Sequence, residues 1–287
     1  MKRYLLVILW LFAGFITNAQ DTAFLPTSTT GEVYYHTYYC FSYSEEHEQS
    51  EWVCYMLTDS MVYGTTPRSD NFKEDPTVIT GSAKLTDYEG SGYDRGHMAP
   101  AADMRIDPVA MSECFYLSNM CPQEGSFNSG RWRMLETAVR NWAIEFDTIY
   151  VVTGPVFKRS RKTIGEEEVT VPKHFYKVIY DPEEMEMIAF LMPNKKLKDP
   201  LDKFIVTVDE VEKETGIDFF PEVPDPMEET LESNVNRAYW VINTSEPVTS
   251  TVEGERKQCK AITQSGTRCS RMAEPGSDYC WQHQPDE

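Results

Sequence analysis

At 287 residues, with 41% hydrophobic and 13% aromatic content, the chain can bury one sizeable core and carry an appendage, which excludes a wholly disordered or fibrous protein. Its formal net charge of -19 excludes a protein that grips nucleic acid by overall attraction. The charge is uneven, though: residues 91–177 balance Lys and Arg against Asp and Glu, while 178–256 are strongly acidic, so a locally positive cleft in an acidic body is still allowed.

In chain order, Lys2 and Arg3, the apolar run 4–16 and the small or polar Thr17, Asn18 and Ala19 read as a signal peptide over 1–19, with an uncleaved anchor as the alternative. That run is shorter than the roughly 20 residues of a spanning helix, and no later segment is long and apolar enough to cross a bilayer. The expectation is a periplasmic or secreted protein with no stable membrane association once the signal is cleaved. Residues 21–32 read as a loose N-terminus, 33–43 as a first strand, 52–57 as a second, and the polar 68–75 as loop. Residues 115–119 and 148–153 read as buried strands. Trp132, Leu135, Val139, Trp142 and Phe146 have helical spacing. Residues 171–180 and 187–192 form a strand pair whose turn begins at Asp181, 201–215 is a second helix, and the Pro-rich acidic stretch 220–229 is a connection. The fold class is α+β around a mostly antiparallel sheet, with a body over 33–243, a Ser, Thr, Glu and Gly-rich linker over 244–257, and a Cys/His-rich module over 258–284.

The chemistry-bearing blocks are YDRGHMAPAADM from Tyr93, FYLSNMCPQ from Phe115 and FNSGRWRMLE from Phe127. Phosphodiester hydrolysis needs a base for the attacking water and positive charge to offset the phosphoryl oxygens and the leaving oxygen. His97 is the natural base, because imidazole titrates nearest neutrality. Arg95, two residues earlier in an extended strand, projects to the same side and is placed to clamp a phosphate. Asn128, Trp132 and Glu136 recur every four residues along one helical face. Asn128 offers a hard, neutral oxygen suited to magnesium, and Glu136 a carboxylate to orient the ion's waters. Taken alone, Asn128 reads first as a helix N-cap and Glu136 as a solvated helix residue, and the spacing by itself is a weak signal. His174 with Lys173 and Lys177 reads as a surface strand feature, and His36 and His47 have no partner legible in the sequence.

Together these blocks resemble the DNA/RNA non-specific endonuclease family, the ββα-metal or His-Me finger nucleases, with its DRGH, SN-x-x-PQ and N-x-x-x-W-x-x-x-E pattern. The similarity extends through VVTGPVF at Val151 and VPKHFYKVIY at Val171. The resemblance implies a ββα-metal fold that cleaves DNA and RNA with little sequence preference and leaves 5′ phosphates. It assigns His97 as general base, Arg95 as phosphate ligand, Asn119 as a supporting residue, Asn128 as the direct ligand of magnesium (or manganese), and Glu136 as a ligand of its water shell. An upstream arginine that contacts the phosphate matches Arg68, which otherwise reads as a surface residue.

An oxidising compartment would permit disulfides such as Cys40 with Cys54 and Cys114 with Cys121. In the tail, Cys259, Cys269, Cys280 and His283 resemble small zinc-binding modules. Three thiolates and an imidazole complete a tetrahedral zinc set, with one disulfide plus a lone thiol as the alternative. The tail's Lys257, Lys260, Arg268 and Arg271 read either as a nucleic-acid contact or as a solvated face. Two further readings of the whole chain are an antibacterial nuclease toxin paired with an inhibitor protein, and a nucleic-acid-binding module without turnover.

Overall fold

Strands form where β-branched and aromatic residues run between polar turns. In this chain those runs are almost continuously apolar, because the main sheet is covered on both faces. The computed structural model describes residues 24–247, 259–262, 268–269 and 278–279. In chain order the strands are β1 (Val33–Tyr35), β2 (Cys40–Ser44), β3 (Gln49–Thr58), β4 (Asp94–His97), β5 (Met120–Gln123), β6 (Thr148–Val156), β7 (Thr163–Ile164), β8 (Val169–Thr170), β9 (His174–Asp181), β10 (Glu186–Pro193) and β11 (Ile205–Val206). The helices are α1 (Asp59–Val62), α2 (Leu85–Tyr88), α3 (Pro108–Glu113), α4 (Gly125–Phe127), α5 (Arg133–Phe146), α6 (Val208–Thr215) and α7 (Asp225–Glu232).

Seven strands make one antiparallel sheet in the order β1-β2-β3-β6-β9-β10-β11, and β4 pairs with β5 apart from it. Alternate residues of each strand serve opposite cores. Ile149, Val151, Phe175 and Ile179 face the core that receives Leu135, Val139, Trp142 and Phe146 of α5. Val152, Tyr176, Val178 and Tyr180 face a second core closed by Val208 and Val211 of α6 with Phe219 and Phe220. The expected α+β architecture with a mostly antiparallel sheet is what the chain adopts.

Several local expectations are corrected. The single strand over 33–43 is two strands, β1 and β2, joined by a reversal in which the His36 N–H donates to the Tyr39 carbonyl at 2.8 Å. Residues 115–119 are buried but hold a tight helical turn, Leu117–Asn119, because the Asn119 side chain bonds backbone groups that a strand would leave to a ladder; the strand begins at Met120. The helix expected over 201–215 is confined to α6, which opens with a Thr207/Glu210 capping box and ends at Gly216 with φ +78. The connection over 220–229 contains the start of α7. Residues 27–30 are not loose: the Thr27 N–H donates to the Asp218 carbonyl, and the Thr29 N–H to buried Glu51.

Cys40 and Cys54 lie directly opposite on β2 and β3, yet the Cys40 thiol donates to the Cys54 carbonyl at 3.5 Å. Cys114 donates to the Met111 carbonyl, and all four body cysteines are buried thiols, so the expected disulfides are not formed. The leader 1–19, most of the linker, Cys280 and His283 lie outside the described residues.

Candidate active site

The site is built on the β4–β5 pair, in which Asp94 faces Gln123, Gly96 faces Cys121 and His97 faces Met120. Gly96 is required by packing, since a Cβ there would lie 2.2 Å from the side chain of fully buried Gln123. The backbone leaving His97 is fixed by Asn119. Its carbonyl accepts from the Met98 N–H at 3.0 Å, its side-chain oxygen accepts from the Ala99 N–H at 2.8 Å, and its amide nitrogen donates to the carbonyls of Ala99 and Cys114. Asn119 is fully buried, so it positions the loop that carries the histidine and does not face a ligand.

Two aromatic rings hold the charged groups. Phe72 and Phe115 meet edge to face with centroids 4.8 Å apart. Arg95 lies 4.1 Å over Phe72, Arg68 lies 4.7 Å over Phe115, and the His97 ring packs against both, edge-on to Phe115 at 4.9 Å. Arg95 and His97 thus share one side of β4, as their spacing requires. Arg68 joins them from the loop, with its Nε donating to Asp70 at 2.7 Å. Burial first, then the charges of Arg68 and Arg95, lower His97 to about 3, so its imidazole is neutral. Its Nε2 is buried and has no hydrogen-bond partner.

Arg68 and Arg95 line a cleft of about 420 Å³ together with Asp70, Tyr93, Asp94 and Asn128, and His97 lies behind Phe72 and is not part of that lining. The Asn128 amide nitrogen donates to Asp94 at 2.9 Å, which turns the amide oxygen away from Asp94 as an available donor. Asn128 is not the N-cap of its helix. Glu124 caps α4, accepting from the Phe127 N–H, and Asn128 begins a widened turn, Asn128–Trp132, that breaks helical geometry at Gly130 before α5 starts. Such widened turns commonly mark functional positions. The uniform four-residue face expected for Asn128, Trp132 and Glu136 is therefore interrupted.

Glu136 is not among the residues lining that cleft. Burial raises its carboxyl pKa against the opposing charges of Lys177 and Arg140. Lys177 is fully buried, donates to Thr153 and lies 5.2 Å over Trp132, and burial lowers its pKa. The surface reading of Lys177 is thus corrected, and its signal was legible: Phe175 and Ile179 on the same face of β9 are core residues. His36 and His47 also have partners, Asp75 at 2.8 Å and Thr170 at 3.0 Å. The sequence reading missed Phe72, Phe115 and Asp94, although a lone aromatic in the polar 68–75 segment and the first residue of DRGH pointed to two of them. A larger cleft of about 800 Å³, lined in part by Glu45, Glu46, Lys158 and Lys213, holds none of the predicted residues.

The donors present fit a magnesium ion beside a phosphate: a neutral amide oxygen with Asp94 next to it, two guanidinium groups, and room for both ligands.

The model of the DNA/RNA non-specific endonuclease family matches residues 20–226. Nuclease C1 of Cunninghamella echinulata var. echinulata is 41% identical over 201 residues, 63% of this chain and 80% of that protein. Mitochondrial nuclease EXOG of Danio rerio is 37% identical over 216 residues, 69% of this chain but 63% of the relative, so the chain spans under two thirds of that protein. A solved chain from an EndoG/EndoGI complex superposes with a TM-score of 0.63 at 34% identity, covering 68% of this chain and 88% of that one. These relatives correct the periplasmic or secreted destination read from 1–19. EXOG, the Saccharomyces cerevisiae nuclease and human endonuclease G are mitochondrial by name, and a basic leader with an apolar run does not by itself establish export. With the family model covering most of the chain and relatives named as nucleases matching the same body, the chain belongs to the DNA/RNA non-specific endonuclease family, whose members cleave nucleic acids.

Proposed function

We propose that this chain is a magnesium-dependent endonuclease that hydrolyses phosphodiester bonds of DNA and RNA with little sequence discrimination and leaves 5′ phosphates. The observation that supports this reading is the buried, unpartnered Nε2 of a neutral His97, packed against the two rings that carry Arg95 and Arg68, whose guanidinium groups line a cleft together with Asn128. Arg68 and Arg95 clamp the scissile phosphate, and their stacking on Phe115 and Phe72 fixes the guanidinium planes. His97 takes the proton from the water as it attacks phosphorus, and the incoming phosphate charge offsets the arginines that otherwise hold the imidazole neutral. Asn128 would hold the metal through its amide oxygen, and the family resemblance alone assigns Glu136, outside the lining of that cleft, to the ion's waters. Bound there, magnesium supplies positive charge to the phosphoryl and leaving oxygens. Contacts to backbone rather than base edges account for the lack of discrimination.

In the tail, Cys259 and Cys269 are both buried against Ala261 and Tyr279, which supports a zinc module completed by Cys280 and His283. An inhibitor protein is a further proposed partner, supported by the similarity to a chain solved in an inhibitory complex.

The test is digestion of circular DNA and of RNA by the purified protein, with magnesium or with chelator, alongside His97→Ala. Both substrates are expected to be cut only with metal, and the variant to lose about 10²–10⁴-fold in rate with its fold intact. Unchanged cleavage by His97→Ala would remove it from the chemistry.

A further inference from the structure

On the side of the molecule covered by α6 and α7, five carboxylates converge, none of them in an ion pair among the described residues. Asp209 and Glu212 come from α6, Asp218 from the following loop, and Glu228 and Glu232 from α7. One oxygen each from Asp209, Glu212 and Glu232 lie within 4.8 Å of one another, as do one each from Asp218, Glu228 and Glu232. Glu232 is common to both groups.

Surface glutamates point into water, and Glu232 does not. It is only 7% exposed, and its Oε1 is buried with no hydrogen-bond partner; Oε1 of Glu228 is in the same condition. The ion pairs of the described residues include none of the five. A buried oxygen without a hydrogen-bond partner, ringed by four further carboxyl groups, makes a set of hard donors gathered at one place with nothing among the described residues to satisfy that oxygen.

We propose that Glu232, with Asp209, Glu212, Asp218 and Glu228, forms a structural site for a calcium ion, separate from the Asn128 cleft. The donors are all hard carboxylate oxygens drawn from two short helices and a loop. That is the flexible, oxygen-rich set calcium accepts and magnesium, with its strict octahedron and reluctant dehydration, does not favour. The site also has something to hold. Asp218 is bonded through its backbone to Thr27, and Glu212 accepts from the Phe219 N–H at 2.9 Å, so an ion here fastens α6, α7 and the N-terminal segment over the second core.

The proposal does not depend on the catalytic reading. Chelator-treated full-length protein is titrated with calcium chloride, reading heat and thermal midpoint, in the wild type, Glu232→Gln and Asn128→Ala. Calcium is expected to raise the midpoint of the wild type and of Asn128→Ala equally. Glu232→Gln, which keeps the size of the side chain and removes a carboxylate ligand, is expected to melt close to the wild type without calcium and to bind it at least tenfold more weakly. Asp209→Asn, at an exposed position, is expected to weaken binding with the fold unaffected. A calcium response of the same size in Glu232→Gln, its absence from the wild type, or its loss in Asn128→Ala alone overturns the assignment.

Discussion

Burial and the guanidinium groups of Arg68 and Arg95 hold His97 at about 3, far below an ordinary histidine, which fixes the sign of its pH dependence. The imidazole is an available base above that value and is lost only when pH falls through it. The acidic limb of kcat/KM, which reports the unliganded enzyme, is therefore expected well below 6.5. Arg68→Ala removes one of the two charges that lower it, so the limb should move up towards 6.5 while the rate falls; a limb that stays in place would separate Arg68 from the histidine. Asp94 acts at the same scale. It accepts from the Asn128 amide nitrogen, and Asp94→Asn removes the charge that orients it. The magnesium concentration for half-maximal rate is expected to rise about 10–100-fold, with a smaller change in KM for nucleic acid.

At the scale of elements, the β4–β5 pair and the widened turn before α5 decide whether these groups meet. Gly96 is the tightest point, and Gly96→Ala forces Gln123 out of a fully buried position. A cost of about 1–3 kcal/mol in urea unfolding is expected, with an accompanying loss of rate because His97 follows in the same strand. Asn119→Ala leaves the Ala99 N–H and the Cys114 carbonyl unsatisfied in a buried setting. Each such group costs about 1–3 kcal/mol, so this variant should be the less stable of the two. The helical pattern of α5 was legible because strand and helix periods differ, whereas the strand that pairs with DRGH was expected over 115–119 and begins only at Met120. The tight turn at Leu117–Asn119 was not legible, because one side chain that bonds backbone groups overrides a run of apolar residues with strand propensity.

Across the whole molecule, the charge of -19 reaches into the cleft, where Arg68 and Arg95 stand beside Asp70, Glu89 and Asp94. Binding that rests on two guanidinium contacts should weaken only shallowly with salt, with a slope of about -2 in log affinity against log salt for duplex DNA, measured with a catalytically silent His97→Ala. A much steeper slope would mean that more of the surface holds the substrate. At this scale the sheet is covered on both faces, by α5 on one and by α6 with the 217–223 segment on the other. That explains why its strands read as continuous apolar runs.

The sequence alone determined the fold class and the family blocks, because these rest on short-range periodicity and on residue types at fixed spacing, and through the family resemblance it nominated His97, Arg95 and Asn128 as candidate site residues. It left Arg68 open, placed Lys177 on the surface, and gave no hint that Phe72 and Phe115 carry the arginines. It also did not foretell the convergence of Asp209, Asp218 and Glu232. Those facts join residues tens of positions apart, and only the packing of the sheet against its two layers brings them within reach of one another.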